Sequence, residues 1–327
     1  MKAAVRSRYG PPEILRIEEV PRPVPKDDEL LVRVRAASVN SWDWDQLIGT
    51  PQGRLGGPFR PVNRILGADV AGLVEAVGTR VSGFRPGDAV FGDISECGWG
   101  GFAEFVCARE KYLVAKPEGM TWAQAAAIPQ AGLLALQGLR GREQVDPGRD
   151  VLINGAGGGV GTFAIQIAKA RGAAVTGVDH TTKLDLMRRV GADRVIDYTR
   201  TDFMREGEHY DLILDVIARR SAFDYARALK PGGVFVGVGG RAWTLLQAAG
   251  LGPLFSRFGN RKLGLLLWRP STVDLETMKA LFAAGQVVPV IDRTYLLDEV
   301  AEALRCVGEG RVKGKIVVTV GEPNDDR

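Results

Sequence analysis

Asp150 to Arg171 reads DVLINGAGGGVGTFAIQIAKAR, and this stretch decides the fold. Val151-Leu152-Ile153 is a short apolar run that suits a buried strand. Asn154 and a cluster of glycines interrupt it, and beyond them Val160, Phe163, Ala164, Ile167 and Ala168 recur at helical spacing. Strand, glycine turn and helix open a βαβ unit. In that setting Gly155-x-x-Gly158-x-x-Gly161, with Gly159 and Val160 inside it, has the spacing of a dinucleotide pyrophosphate site. A backbone without side chains turns tightly and lets phosphates approach. Free N–H groups at the positive end of the following helix then meet the negative charge.

Downstream, Gly172-Ala173 ends the helix and Ala174 to Val178 forms a second strand. The residues beyond such a strand meet the adenosine ribose. An acid there bonds the 2′-hydroxyl of NAD, whereas basic or hydroxyl residues accept the 2′-phosphate of NADP. The chain offers both: Asp179, 18 residues after Gly161, then His180, Thr181, Thr182 and Lys183. Further strands are expected at Leu212 to Val216 and, after a Lys230-Pro231-Gly232-Gly233 turn, at Val234 to Gly239. With helical segments between them this is an α/β fold, a doubly wound parallel sheet. Ligands lie beyond the carboxyl ends of its strands, which marks Val216, Val238, Gly239 and Gly240 as cofactor neighbours; Gly239-Gly240 would leave room for a flat ring.

The first third is different. Leu30 to Arg35 alternates apolar and charged residues, Val70 to Val77 is a second strand, and Pro86-Gly87-Asp88 turns into Ala89-Val90-Phe91. Phe102 to Val106 follows as another short strand. Together these imply a small β-rich barrel or sandwich. Near the other end, Val287 to Ile291 reads as a strand whose Pro289 argues for an edge position or a strand start, and Lys315 to Val320 as a last strand returning to the first domain.

Composition narrows the function classes. The chain has 327 residues, 45% hydrophobic and 25% charged, which suits a soluble protein of about two domains. The formal net charge of +4 comes without a run of like charges, so neither nucleic acid nor a membrane is expected as a partner. Cys97, Cys107 and Cys306 are too scattered for a disulfide framework, the N-terminus carries no apolar signal core, and no apolar run approaches a membrane span. A cytoplasmic protein is expected.

Ala37-Ser38-Val39-Asn40, Leu66-Gly67-Ala68-Asp69-Val70-Ala71-Gly72 and the Pro86-Gly87-Asp88 turn resemble the medium-chain dehydrogenase/reductase superfamily, specifically its zinc-free quinone oxidoreductase-like branch. The likeness continues through Gly155 to Gly161 and on to Gly314-Lys315. It implies a discontinuous GroES-like catalytic domain over 1–122 and 270–327, a Rossmann NAD(P)-binding domain over 123–269, a cleft between them, and a homodimer.

The resemblance also frames the chemistry. Zinc-dependent relatives hold a catalytic ion with a Cys, a His beside a Glu, and a second Cys or an acid. Here Asn40 stands where the first Cys is expected, Gly67-Ala68-Asp69 replaces Gly-His-Glu, and the only histidines are His180 and His209. No zinc is expected, and no Lewis-acid alcohol chemistry. There is no flavin signature either. Direct hydride transfer from a nicotinamide to a quinone or an α,β-unsaturated carbonyl remains, with a non-catalytic NADPH-binding scaffold as the alternative. In zinc-free relatives a basic residue and a later tyrosine surround the 2′-phosphate; Lys183 and Tyr198 match them, so NADP(H) is favoured over NAD(H), against the charge of Asp179. On family grounds Asn40 is the polar group for a developing oxyanion and Asp43 a recurrent acid whose simpler role is to fix its loop. Gln130 and Lys315 are expected near the cofactor.

Overall fold

The computed structural model describes residues 1–140, 146–205 and 207–321. The chain divides into two units, Met1–Gln130 with Pro270–Ala280 and Ile291–Arg327, and Ala131–Arg269 with Leu281–Val290. In chain order the first stretch contains β1 (Lys2–Val5), β2 (Arg16–Glu19), β3 (Glu29–Val39), α1 (Ser41–Ile48), β4 (Asp69–Val77), β5 (Ala89–Asp93), β6 (Phe105–Arg109), β7 (Leu113–Ala115), α2 (Trp122–Ala127) and α3 (Pro129–Arg140). The middle contains β8 (Asp150–Asn154), α4 (Gly159–Ala170), β9 (Ala174–Asp179), α5 (Leu184–Arg189), β10 (Arg194–Asp197), β11 (Tyr210–Asp215), α6 (Ala222–Ala228), β12 (Leu229–Gly237), α7 (Ala242–Gly259) and β13 (Lys262–Leu265). The chain closes with α8 (Thr272–Ala283), β14 (Ile291–Leu296), α9 (Val300–Gly308) and β15 (Lys315–Thr319).

The first unit is built on β3. Its Val32, Arg33 and Val34 alternate inward, outward and inward, as the sequence pattern requires. β3 nevertheless runs far beyond the six residues read from the sequence, because it pairs antiparallel with three strands: β4 and β6 along its length and β15 at its carboxyl end. With neighbours on both edges, the stretch Ala36 to Asn40 is buried throughout. The sheet order is β14-β15-β3-β4-β5-β7 with β6 on β3, and only β14–β15 is parallel among these neighbours. Leu30, Val32, Val34, Leu66, Val70, Val90, Phe102, Ile316 and Val318 share one apolar core.

The second unit carries a six-stranded parallel sheet in the order β10-β9-β8-β11-β12-β13. The direction of winding reverses between β8 and β11, the arrangement of a dinucleotide-binding Rossmann sheet. Val151, Leu152 and Ile153 are fully buried in β8, and Phe163, Ala164, Ile167 and Ala168 form the buried face of α4. A GroES-like β-rich unit and a doubly wound α/β unit are therefore both present.

Several boundaries move. β6 begins at Phe105 rather than Phe102. Lys230 to Gly233, read as a turn, lies inside β12, whose register with β11 shifts at that point. Val287 to Val290 forms no strand; pairing starts at Ile291, after the proline that cannot donate to a ladder. No helix among the described residues is long and apolar enough to cross a membrane.

Candidate active site

The glycine turn does what its spacing requires. Gly155 closes β8 with φ +81°, and the N–H groups of Gly155 and Ala156 both donate to the Val178 carbonyl of β9 at 3.0 and 3.1 Å. Gly161 sits where a Cβ would lie 2.3 Å from the Gly155 carbonyl oxygen and 2.4 Å from Ala156 Cα, so only glycine lets α4 start this close to the strand. Gly158 is the N-cap of α4 and offers no side chain, which leaves the N–H groups of Gly159 and Val160 without intrahelical acceptors at the positive end of the helix. This is an anion cradle with its donors unspent.

Beyond the end of β9 the opposed charges form a pair. Asp179 is 5% exposed. Its Oδ2 accepts the Gly157 N–H at 2.9 Å, its Oδ1 accepts the His180 N–H at 2.7 Å, and Lys183 Nζ lies 3.6 Å from that same oxygen. The Lys183 stem covers Gly157, where a Cβ would meet Lys183 Cβ at 2.6 Å. Asp179 thus braces the glycine turn and is balanced by Lys183, rather than presenting the free carboxylate that the sequence alone suggests. The Thr181 hydroxyl donates to Asp197, and this bond with a second from Thr199 holds the Asp197 carboxyl down to about 2. His180 and Tyr198 are exposed here, as are Thr181 and Thr182; the rings of His180 and Tyr198 stand edge to face 6.2 Å apart, with Tyr198 47% exposed.

The strand exits on either side of the winding reversal converge. Val216, half-buried, faces Gly155, whose ideal Cβ would lie 3.3 Å from Val216 Cβ. Val238 donates its N–H to the Asp215 carbonyl and Ala218 donates to the Gly239 carbonyl. Gly240, with φ +138°, would place a Cβ 2.2 Å from the Ala218 carbonyl oxygen. The glycine at 240 is thus required by the neighbouring backbone, a more immediate reason than room for a ring. Beside them lies a group that the sequence pattern does not mark. Asp215 is fully buried; Asn154 Nδ2 donates to its Oδ1 at 2.9 Å, Ile217 N–H donates to the same oxygen at 3.0 Å, and the Tyr225 hydroxyl donates to Oδ2 at 2.6 Å. Burial pushes the Asp215 carboxyl up, against the pull of these bonds, and burial with the adjoining carboxylate pushes the Tyr225 hydroxyl up as well. Its one trace in the sequence is an acid closing an apolar strand.

The first unit holds a buried charge cluster. Asp69, fully buried, accepts Ser38 Oγ–H at 2.9 Å and Asn40 Nδ2–H at 3.0 Å on Oδ2, and the Gln130 N–H at 3.1 Å on Oδ1. Lys315 Nζ donates to Asn40 Oδ1 and lies 3.9 Å from Asp69 Oδ2. Asp43, also fully buried, accepts the Asn40 N–H at 2.7 Å and the Gly67 N–H at 2.9 Å. It closes the first turn of α1 and ties it to the segment leading into β4, fastening the loop away from solvent. Burial raises the Asp43 carboxyl to about 7 and raises Asp69 too, with Lys315 opposing; burial lowers Lys315 while Asp69, Asp43 and Asp93 hold it up. Asp93, opposite Asp69 in the β4–β5 register, rises to about 8 through burial and the charge of Asp69. Lys315 is 3% exposed and belongs to this cluster. Gln130 is buried, and it meets Asp69 through its backbone rather than its side chain.

This donor set does not suit zinc. The position beside Asp69 is an alanine, Asn40 is occupied by Lys315 and Asp69, and a lysine ammonium stands among the carboxylates. Among the described residues no group of three His, Cys, Asp or Glu side chains is placed to hold a metal ion.

Comparison with known proteins agrees with the two-unit architecture. Residues 26–118 match the alcohol dehydrogenase GroES-like domain family, and residues 190–318 match a family described as zinc-binding dehydrogenase. The chain is 32% identical to the 2-methylene-furan-3-one reductase of Solanum lycopersicum, over 97% of this chain and 79% of that protein. It is equally 32% identical, with the same coverage, to the chloroplastic NADPH-dependent alkenal/one oxidoreductase of Arabidopsis thaliana. Among solved structures, the quinone oxidoreductase of Coxiella burnetii superposes with a TM-score of 0.87 at 29% identity, covering 98% of this chain and 99% of that one.

Proposed function

Because this chain belongs to the quinone oxidoreductase-like branch of the medium-chain dehydrogenase/reductase superfamily, we propose that it reduces quinones or α,β-unsaturated carbonyls with NADPH and without zinc. The observation that carries this reading is the glycine turn: a cradle whose Gly159 and Val160 N–H groups remain available, in a chain whose zinc-ligand positions are filled by Asn40, Ala68 and Asp69. When bound, the nicotinamide supplies the hydride. Every other task falls to the chain. Gly158 to Gly161 receive the pyrophosphate, and Val216 and Val238 flank the path from adenine to nicotinamide.

The preference for NADPH rests on the Asp179–Lys183 pair. With both oxygens of Asp179 engaged and its charge balanced at 3.6 Å, the residue that would repel a 2′-phosphate is withdrawn from it. His180, Thr181 and Tyr198 then form the rim that meets the phosphate. Asn40 offers an amide N–H to the oxygen on which negative charge develops, and solvent returns the proton.

The resemblance further suggests a homodimer, and the scattered cysteines of the sequence a cytoplasmic location; size-exclusion chromatography and fractionation would check them. The scaffold alternative has no observation in its favour, since the relatives carry the names of reductases. The deciding experiment is a screen of NADPH oxidation against quinones and enones. Turnover with either class, unchanged by a chelator, is the expected result. Tight NADPH binding with no turnover on any acceptor would overturn the proposal.

A further inference from the structure

Asn40 is an amide, and an amide can face its surroundings in two ways that differ only by exchange of oxygen and nitrogen. Here its neighbours decide. On one side stands Lys315, whose ammonium has donors and no acceptor. On the other stands Asp69, whose Oδ2 lies 3.0 Å from Asn40 Nδ2. Turned over, the amide would set its NH2 against the ammonium and its oxygen against the carboxylate, losing two charge-assisted hydrogen bonds and adding two repulsions in a buried site. Only one orientation is compatible with the pair. In that orientation one Nδ2–H is held by Asp69, and the other makes no hydrogen bond among the described residues.

We infer that Lys315 and Asp69 are positioning residues for the proposed reduction: they clamp the Asn40 amide from opposite sides so that its remaining N–H is presented to the oxygen of the quinone or enone. The inference rests on the reading of Asn40 as the oxyanion donor. The rest of the cluster serves the clamp. Ser38 and the Gln130 N–H fill the other acceptor sites of Asp69. Lys315 Nζ lies 3.5 Å from the Val39 carbonyl, and Asp43 holds the Asn40 backbone at 2.7 Å. Side chain and main chain of Asn40 are therefore fixed independently. Lys315 reaches the site from β15, which pairs with the end of β3 so that Ile316 opposes Val39. The clamp is thus built on β15 and β4, the two strands that flank β3, rather than on a loop.

The test is a double-mutant cycle on kcat with a quinone acceptor, with NADPH affinity measured separately by fluorescence quenching. Asn40→Ala is expected to lower kcat by on the order of 100-fold, the usual cost of one oxyanion donor. Lys315→Met is expected to lower it by at least about 10-fold with NADPH affinity unchanged, and to add nothing in the Asn40→Ala background, since a residue acting through Asn40 has no effect once Asn40 is gone. Lys315→Met leaves buried carboxylates without their cation, so Asp69→Asn, isosteric and uncharged, provides the second arm: it too should lower kcat without weakening NADPH. Additive losses, or wild-type kcat in both Lys315→Met and Asp69→Asn while Asn40→Ala is slow, would overturn the clamp and leave Asn40 standing. Wild-type kcat in Asn40→Ala would overturn the role of Asn40 itself, and the clamp with it.

Discussion

Replacing Asp93 by asparagine should flatten the dependence of stability on pH. Asp93 ends β5, is 1% exposed, and faces Asp69 across the β4–β5 pair. Its Oδ1 accepts the Ser95 N–H at 2.8 Å; its Oδ2 is buried with no partner among the described residues. Burial first, and then the charge of Asp69, raise the carboxyl from 3.8 to about 8. Between those two values the folded protein keeps a proton that the unfolded chain has released. The stabilising contribution of this raised acid is complete below its unfolded value and is lost as pH climbs through its folded value. One proton of difference corresponds to about 1 kcal/mol per pH unit, and so to about 3 kcal/mol between roughly pH 4.5 and pH 7.5. An asparagine at this position carries no such proton. Its oxygen retains the Ser95 bond, and the buried Ser95 hydroxyl, also unpartnered, is a ready acceptor for the new NH2. The assay is urea unfolding at half-unit pH steps, followed by tryptophan fluorescence, to which Trp42, Trp44, Trp99 and Trp122 of the first unit contribute. Wild type should lose stability steeply over this range. Asp93→Asn should lose less by about 1 kcal/mol per pH unit, retaining the slope due to Asp43, whose carboxyl is raised to about 7. Equal slopes in the two proteins would refute the placement of the stored proton at Asp93.

The same geometry carries three further expectations. Gly161→Ala puts a Cβ 2.3 Å from the Gly155 carbonyl oxygen and should abolish tight NADPH binding while costing about 2 kcal/mol or more of stability, read by titration and by denaturant unfolding. Tyr225→Phe removes the 2.6 Å hydrogen bond to the buried Asp215 carboxylate and should cost about 2 to 3 kcal/mol; an unchanged denaturation midpoint would contradict this. Lys183→Met leaves Asp179 without its cation and should weaken NADPH more than NADH by about 10-fold, the ratio of two dissociation constants measured by fluorescence quenching.

What is legible in the sequence is what backbone geometry demands. Gly155 and Gly161 are assignable from spacing alone, because a strand, a tight turn and a helix start impose those residues at fixed intervals. Pairings across long separations are not. Asp179 and Lys183 read as competing votes on the cofactor because the sequence shows charges, not that one carboxylate is folded under a turn to meet Gly157 N–H. The resemblance marks Lys315, but not that the register of β15 on β3 delivers its ammonium to Asn40, 275 residues away. Asp93 and Asp215 give no signal beyond closing apolar strands, since an acid at a strand end is ordinarily solvated and only packing reveals that these are not.

The late arrival of β15 bears on how the molecule is made. A chain emerging from the ribosome presents the second unit with all six of its strands, Asp150 to Leu265, before the first unit has its last two. Until Lys315 is synthesised, Asp69 and Asp43 lack the ammonium that opposes the cost of their burial, and the carboxyl end of β3 has no partner on the edge that β15 later covers. The nucleotide-binding half can therefore mature during translation, while the half begun first must wait with an open sheet edge for its closing strand. An unpaired edge of that kind is what a chaperone shields from pairing with another chain.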